Sequence, residues 1–194
     1  MFPSTIRPTQ NKIRKAIFDC LGDFVKESSV LELFAGSGAV GIEALSYGAK
    51  EVTFVDNKTK CLKLIESNLT SLNITASLLY KKDSFKAIDF LAARGLKFDL
   101  IFLDPPYGFG YRKPNHSSPT YGLDLAKKSL LKISVCDILA PSGIVVLEHH
   151  QKEELPERNG SLILFKQKRY SDKVLSFYRR GGQNVPESNL SRFV

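Results

Sequence analysis

Between Val30 and Asp56 the sequence runs through an apolar stretch, a glycine-rich turn, a helical stretch and a second apolar stretch that ends on an acid. The first stretch is VLELF (30–34). ELFAGSGAVG then sets Gly36, Gly38 and Gly41 at the start of AVGIEALSYG, a helical run that stops at Gly48. EVTFVD (51–56) follows, so Asp56 stands twenty residues after Gly36. Few folds accept this order. Glycines at a strand-to-helix turn let backbone approach a ligand, and the helix N-terminus favours polar or negative groups. An acid at the end of the next strand can accept hydrogen bonds from both hydroxyls of a ribose. A lone GxGxxG says little; in this order it specifies a nucleoside site on an open α/β sheet.

The rest of the chain keeps the alternation. KTKCLKLIESNLTSL carries Cys61, Leu62, Ile65 and Leu69 at helical spacing, and ITASLLY (74–80) reads as a third strand. SFKAIDFLAARG is a helix ended by Gly95, and FDLIFLD (98–104) is a fourth strand. After a loop over 105–120, GLDLAKKSLLKISVCDIL is a helix and GIVVLEHH (143–150) a fifth strand. Strands and helices alternating at this spacing predict a parallel sheet covered on both faces. The tail breaks the pattern: SLILFKQKRYS and KVLSFYRR read as a hairpin added to the sheet edge. Ahead of the core, Ile13, Ile17, Phe18 and Leu21 share one face of an amphipathic helix.

At 194 residues the chain suits one domain: a helical segment over 1–27, the core over 28–180 and a tail over 181–194. No apolar run is long enough to span a bilayer, and the start lacks the continuous apolar region of a secretory signal, so a cytoplasmic protein with no membrane partner is expected. Cys20, Cys61 and Cys136 form no CxxC pair, which argues against zinc and disulfide frameworks. His149 and His150, adjacent on a strand, point to opposite faces; they read as rim histidines rather than ligands, and no metal is expected. The net charge of +8 suits a polyanionic partner such as nucleic acid.

The nucleoside ligand has two readings. NAD fits the geometry. S-adenosylmethionine (SAM) fits it with its methionine end against the glycine loop. Asp83 and Ser84 sit where an acid can reach the adenine amino group, and equally where a helix needs an N-cap.

FDLIFLDPPYGFGY (98–111) supplies the chemistry. Asp104, Pro105, Pro106 and Tyr107 follow a buried strand, at the carboxyl edge where ligands of such sheets bind. An exocyclic amine has two N–H donors and a lone pair delocalised into its ring. Acceptors aimed at both N–H groups free that pair for attack. Asp104 supplies a carboxylate oxygen and Pro105 a carbonyl. The prolines fix φ and bring no competing N–H, and Tyr107 offers a face for a flipped base. The charge developing on nitrogen then meets preorganised acceptors. In the following loop, Tyr111, Arg112 and Lys113 combine a stacking ring with phosphate-binding cations.

FAGSGAVGIEALSYGA together with LDPPYG resembles the class I SAM-dependent methyltransferases that modify exocyclic amines. RPTQNKIRKAIFDCL (7–21) narrows the likeness to the RsmD-type enzymes, which methylate guanine N2 in bacterial 16S ribosomal RNA. The resemblance runs from Arg7 to about Arg180. It implies a Rossmann-like α/β fold with a seven-stranded, mostly parallel sheet and an antiparallel C-terminal hairpin over 161–180. It implies SAM as cofactor and ribosomal RNA of the small subunit or its precursor as partner, with a monomer as the simplest state. Phe34, Ala35, Gly36, Ser37, Gly38 and Gly41 would line the methionine end, Asp56 the ribose, and Asp83 and Ser84 the adenine. Asp104, Pro105, Pro106 and Tyr107 correspond to the catalytic loop, while Arg7 and Thr9 lead into the site. There are departures: the family opens with a glycine-rich basic hairpin ahead of Arg-Pro-Thr, whereas this sequence starts at MFPSTIRPT. Lys15 and Asp56 stand where the family pattern favours Glu. The competing readings are a DNA adenine-N6 methyltransferase, an NAD-linked oxidoreductase and a non-catalytic RNA-binding module.

Overall fold

The computed structural model describes residues 8–106 and 123–182. Arg7, Tyr107, Tyr111, Arg112 and Lys113 lie outside the described residues, and Thr9 is described only as part of the first helix. That helix, α1 (Pro8–Leu21), leads through a 3-10 turn (Gly22–Val25) into the sheet. There follow β1 (Ser29–Leu33), α2 (Ala39–Ser46), β2 (Glu51–Asp56), α3 (Thr59–Ser71), β3 (Ser77–Lys81), α4 (Ser84–Ala92) and β4 (Phe98–Leu103). The chain closes with α5 (Leu123–Cys136), β5 (Leu139–His150), β6 (Arg158–Asn159), β7 (Leu162–Tyr170) and β8 (Lys173–Arg180). The strands form one sheet in the order β3-β2-β1-β4-β5-β8-β7-β6. The first five are parallel; β6, β7 and β8 pair antiparallel.

Both faces of the sheet are covered, which is why β1, β2 and β4 are mostly apolar. Alternate residues split between two cores. Val30, Leu100, Phe102 and Val146 pack with Ile13, Ile17 and Phe18 of α1. Leu31, Leu33, Ile101, Leu103 and Leu147 pack on the opposite face with α4 and α5. The face predicted for α1 is the buried one: Ile13, Ile17, Phe18 and Leu21 are each at most 3% exposed.

Helix ends follow local chemistry. At α2 and α4, Gly48 and Gly95 have positive φ, and the next residue donates back five positions: Ala49 N–H to Ala44 O and Leu96 N–H to Leu91 O. The third strand begins at Ser77 rather than Ile74, because the same motif ends α3 with an asparagine in the glycine position. Asn73 has φ 54° and Ile74 N–H donates to Leu69 O at 2.9 Å. Among the described residues the sheet has eight strands where seven were expected. The extra strand, β6, folds back on β7 through Gly160 and Ser161, with Asn159 opposite Leu162 and Gly160 at φ 60°. Gly-Ser between two short extended runs is a hairpin signal.

His149 corrects an expectation. It is 2% exposed, with Nε2 2.8 Å from Ser176 Oγ and Nδ1 3.1 Å from His150 O. It is part of the packing between β5 and β8, and burial lowers its pKa. The cysteines are free thiols, Cys20 buried and Cys61 and Cys136 half-buried. No helix among the described residues is long and apolar enough to cross a membrane.

Candidate active site

The strand order reverses direction between β1 and β4, the switch point at which open α/β sheets bind ligands. A cleft of about 280 Å³ lies there, at the carboxyl edge of the sheet and beneath α1. Register explains which side chains enter it. Glu32, Phe102 and Val146 are partners across β1, β4 and β5, as are Leu33, Leu103 and Leu147 one step on. One further step brings Asp104 and Glu148 side by side. With period-two alternation, this third row shares the face of the first. Both rows line the cleft.

The glycine loop forms one wall. Phe34 leaves β1 with φ 58°, a conformation costly for a bulky side chain, and Ala35 N–H still donates to Val55 O at 3.0 Å. Strand pairing thus continues while the chain turns upward. Phe34, Ala35, Gly36 and Ser37 line the cleft. Gly36 has φ 56° and no atom but the Phe34 carbonyl oxygen within 4 Å of where a Cβ would stand, so the space above it is open to a ligand. Gly38 and Gly41 serve the interior instead. A Cβ on Gly38 would sit 2.9 Å from Ile65 Cγ1, and one on Gly41 2.5 Å from Phe54 Cε1. These two glycines bring α2 against β2 and α3 and lie outside the cleft lining.

Glu32 is the residue that sequence reasoning missed. It is 6% exposed and accepts a 2.8 Å hydrogen bond from Gly41 N–H, tying β1 to the first turn of α2. Burial raises its pKa to about 8, a shift that backbone N–H groups of Gly41 and Val40 oppose and Asp104 reinforces. The signal was present: an acid inside an apolar strand, VLELF, needs a reason to be there.

The predicted acids take different places. Asp56 is 8% exposed; Oδ2 accepts from Gly36 N–H at 2.9 Å and Oδ1 from Lys58 N–H at 2.8 Å. It clamps the glycine loop to the end of β2, next to the cleft but outside its lining. A carboxylate has about four lone-pair directions, so these two bonds leave acceptor capacity for ligand hydroxyls. Asp83 caps α4, accepting from Phe85 N–H at 3.0 Å and Lys86 N–H at 3.2 Å, and Ser84 is buried beside it. Neither borders the cleft. Asp104 is exposed and lines the cleft, with Pro105 buried and Pro106 exposed behind it.

Two cations complete the cleft. Arg14 of α1 lines it and pairs with Glu43 of α2. Lys173 of β8 lines it and pairs with Glu148 of β5. Three acids and two cations therefore face one cavity. The open Gly36 lines the cleft, and Asp56 stands beside it at the end of β2. These suit SAM, whose methionine end needs room against the glycine loop and whose ribose offers hydroxyls.

Comparison with known proteins agrees. The family model described as Conserved hypothetical protein 95 matches residues 2–179. The Bacillus subtilis (strain 168) protein named "Putative rRNA methyltransferase YlbH" is 34% identical over 92% of this chain and 90% of its own length. Ribosomal RNA small subunit methyltransferase D of Escherichia coli (strain K12) is 24% identical over 95% and 84%. A solved conserved hypothetical protein of Streptococcus pyogenes superposes with a TM-score of 0.73 at 28% identity, covering 89% of this chain and 98% of that one. SMU.776, solved in complex with SAH, shares the fold with a TM-score of 0.64 at 18% identity, covering 88% and 49%. By its sequence and its Rossmann-like class I fold, the chain belongs to the Conserved hypothetical protein 95 family, that of the RsmD-type methyltransferases.

Proposed function

We propose that this protein transfers a methyl group from SAM to the exocyclic N2 amine of a guanine in small-subunit ribosomal RNA. The coarser part, a SAM-dependent rRNA methyltransferase, follows from the family and from relatives named for that activity. The choice of an exocyclic amine rests on one observation: Asp104 faces the same cleft as the open Gly36. Bound SAM supplies an electrophilic methyl on a sulfonium. Asp104 and the Pro105 carbonyl accept from the two N–H groups of the amine and turn its lone pair toward that methyl. As the N–C bond forms the C–S bond breaks, and the surplus proton on nitrogen leaves along the hydrogen bond to Asp104. Phe34 through Gly36 hold the methionine end and Asp56 the ribose hydroxyls. Asp83 and Ser84 stand beyond them for the adenine, and Tyr107 stacks on the flipped base. Arg7, Thr9, Tyr111, Arg112 and Lys113 meet the RNA around it. The enzyme acts as a cytoplasmic monomer.

The test is methyl transfer from labelled SAM to small subunits and rRNA that lack the modification, followed by nucleoside analysis. Label in N2-methylguanosine is expected. Label in N6-methyladenosine would keep the Asp104 chemistry and overturn the substrate. Absence of both label and SAM binding would overturn the reading.

A further inference from the structure

The Glu148–Lys173 pair belongs to no part of the mechanism above, yet it occupies the wall of the reaction cleft. Glu148 lies on β5 one register step beyond Leu147, and Asp104 stands one step beyond Leu103, the partner of Leu147. The two carboxylates therefore rise from neighbouring parallel strands, about 4.8 Å apart at the backbone, on the same face. Lys173 starts β8 on the far side of Glu148, opposite His150 and diagonal to Glu148. Across the carboxyl edge the order is Asp104, Glu148, Lys173: acceptor, acceptor, donor. The Glu148 and Lys173 side chains are only 14% and 19% exposed. Both charges are thus largely withdrawn from water at the wall of the cavity that would receive the base.

We infer that Glu148 and Lys173 read the Watson–Crick edge of the target base and make the cleft specific for guanine. This rests on the proposed exocyclic-amine chemistry. A guanine whose N2 amine meets Asp104 presents N1–H next and O6 beyond it: donor, donor, acceptor. Glu148 accepts from N1–H and Lys173 donates to O6. The ammonium has three N–H groups, so it serves O6 while keeping its bond to Glu148. An adenine whose N6 amine meets Asp104 presents the unprotonated N1 next. That lone pair faces the Glu148 carboxylate, and no oxygen follows for Lys173. A site built to hydrogen-bond one edge rejects the mismatched one because its own polar groups are left unpaired. The plain alternative, that the pair only ties β5 to β8 as a cross-strand contact, predicts lost stability and unchanged base choice.

The test uses the full chain with Glu148→Gln and Lys173→Met, with unmodified small subunits as methyl acceptor. SAM affinity by calorimetry is expected to match the parent in both variants, and kcat/KM for RNA to fall about 10-fold to 100-fold. Once nucleoside mapping has located the methylated residue, rRNA carrying 2,6-diaminopurine there supplies the second readout. That base keeps the N2 amine but has no N1–H and replaces O6 with an amine. The parent is expected to prefer guanine by about 10-fold or more, and Glu148→Gln, whose amide can donate to N1, to narrow that preference. Parent-like base preference in Glu148→Gln would overturn the inference, as would lost SAM affinity in Lys173→Met, which would give the lysine to the cofactor. Should the parent label adenosine instead of guanosine, the proposed function itself fails, and that result appears before any variant is made.

Discussion

Asp56 and Asp104 end neighbouring regions of one sheet, yet they are treated oppositely. Asp56, at the end of β2, is buried and held by the N–H groups of Gly36 and Lys58. Asp104, after β4, is exposed in the cleft with two prolines behind it. The β1–β2 side is a holding device: Phe34 at positive φ, a clamped glycine loop, and Gly41 packed against Phe54. On the β4–β5 side, the carboxylates Asp104 and Glu148 line the cleft itself. Backbone donors fix Asp56 in place, whereas Asp104 is exposed to the cleft.

The largest expected effect breaks the reactive side alone. Asp104→Ala removes an acceptor that acts as charge develops, and turnover should fall about 10²-fold to 10³-fold, measured by single-turnover methyl transfer. Asp56→Ala breaks the holding side. It leaves two N–H groups without their acceptor, costing about 1–3 kcal/mol of stability, seen as a lower denaturation midpoint together with weaker SAM binding.

The sheet and the glycine loop were legible in the sequence because burial on both faces leaves strands as apolar runs, and Gly48 and Gly95 mark two helix ends openly. The start of β3 was not legible because Asn73 does a glycine's work in closing α3. β6 was hidden by its two-residue length, although Gly160-Ser161 marked the turn. In the site, spacing alone picked out Asp56 and Asp104, but not that one is buried and clamped and the other exposed. Spacing also could not separate Gly36, which faces the cleft, from Gly38 and Gly41, which face the core. That division depends on Phe54 and Ile65, contacts no local pattern reveals. His149 read as a rim residue because its partner, Ser176, lies on a different strand.

Two smaller effects sharpen the contrast. Gly41→Ala puts a methyl 2.5 Å from Phe54 Cε1 and 2.7 Å from Glu32 Oε2. The crowding costs about 1–3 kcal/mol, offset by about 1 kcal/mol of helix propensity, so thermal unfolding should show a modest net loss. Glu32 sets a pH dependence. Its folded pKa of about 8 lies above the ordinary value of 4.5, so the folded state binds a proton that the unfolded state has released. Stability from this residue is complete below the ordinary value and is lost as pH rises toward 8, at no more than about 1.4 kcal/mol per pH unit. Glu32→Gln, whose amide oxygen still accepts from Gly41 N–H, should flatten the fall in Tm between pH 6.5 and 8. A parent and variant with equal slopes would remove Glu32 as the cause.

The division between holding and reacting is tested most directly by titrating SAM into the parent, Asp56→Ala and Asp104→Ala side by side in a calorimeter. The account predicts SAM affinity reduced about 10-fold or more for Asp56→Ala, and parent-like affinity for Asp104→Ala. Lost affinity in Asp104→Ala with parent-like affinity in Asp56→Ala would contradict it, moving the cofactor to the β4 side of the sheet.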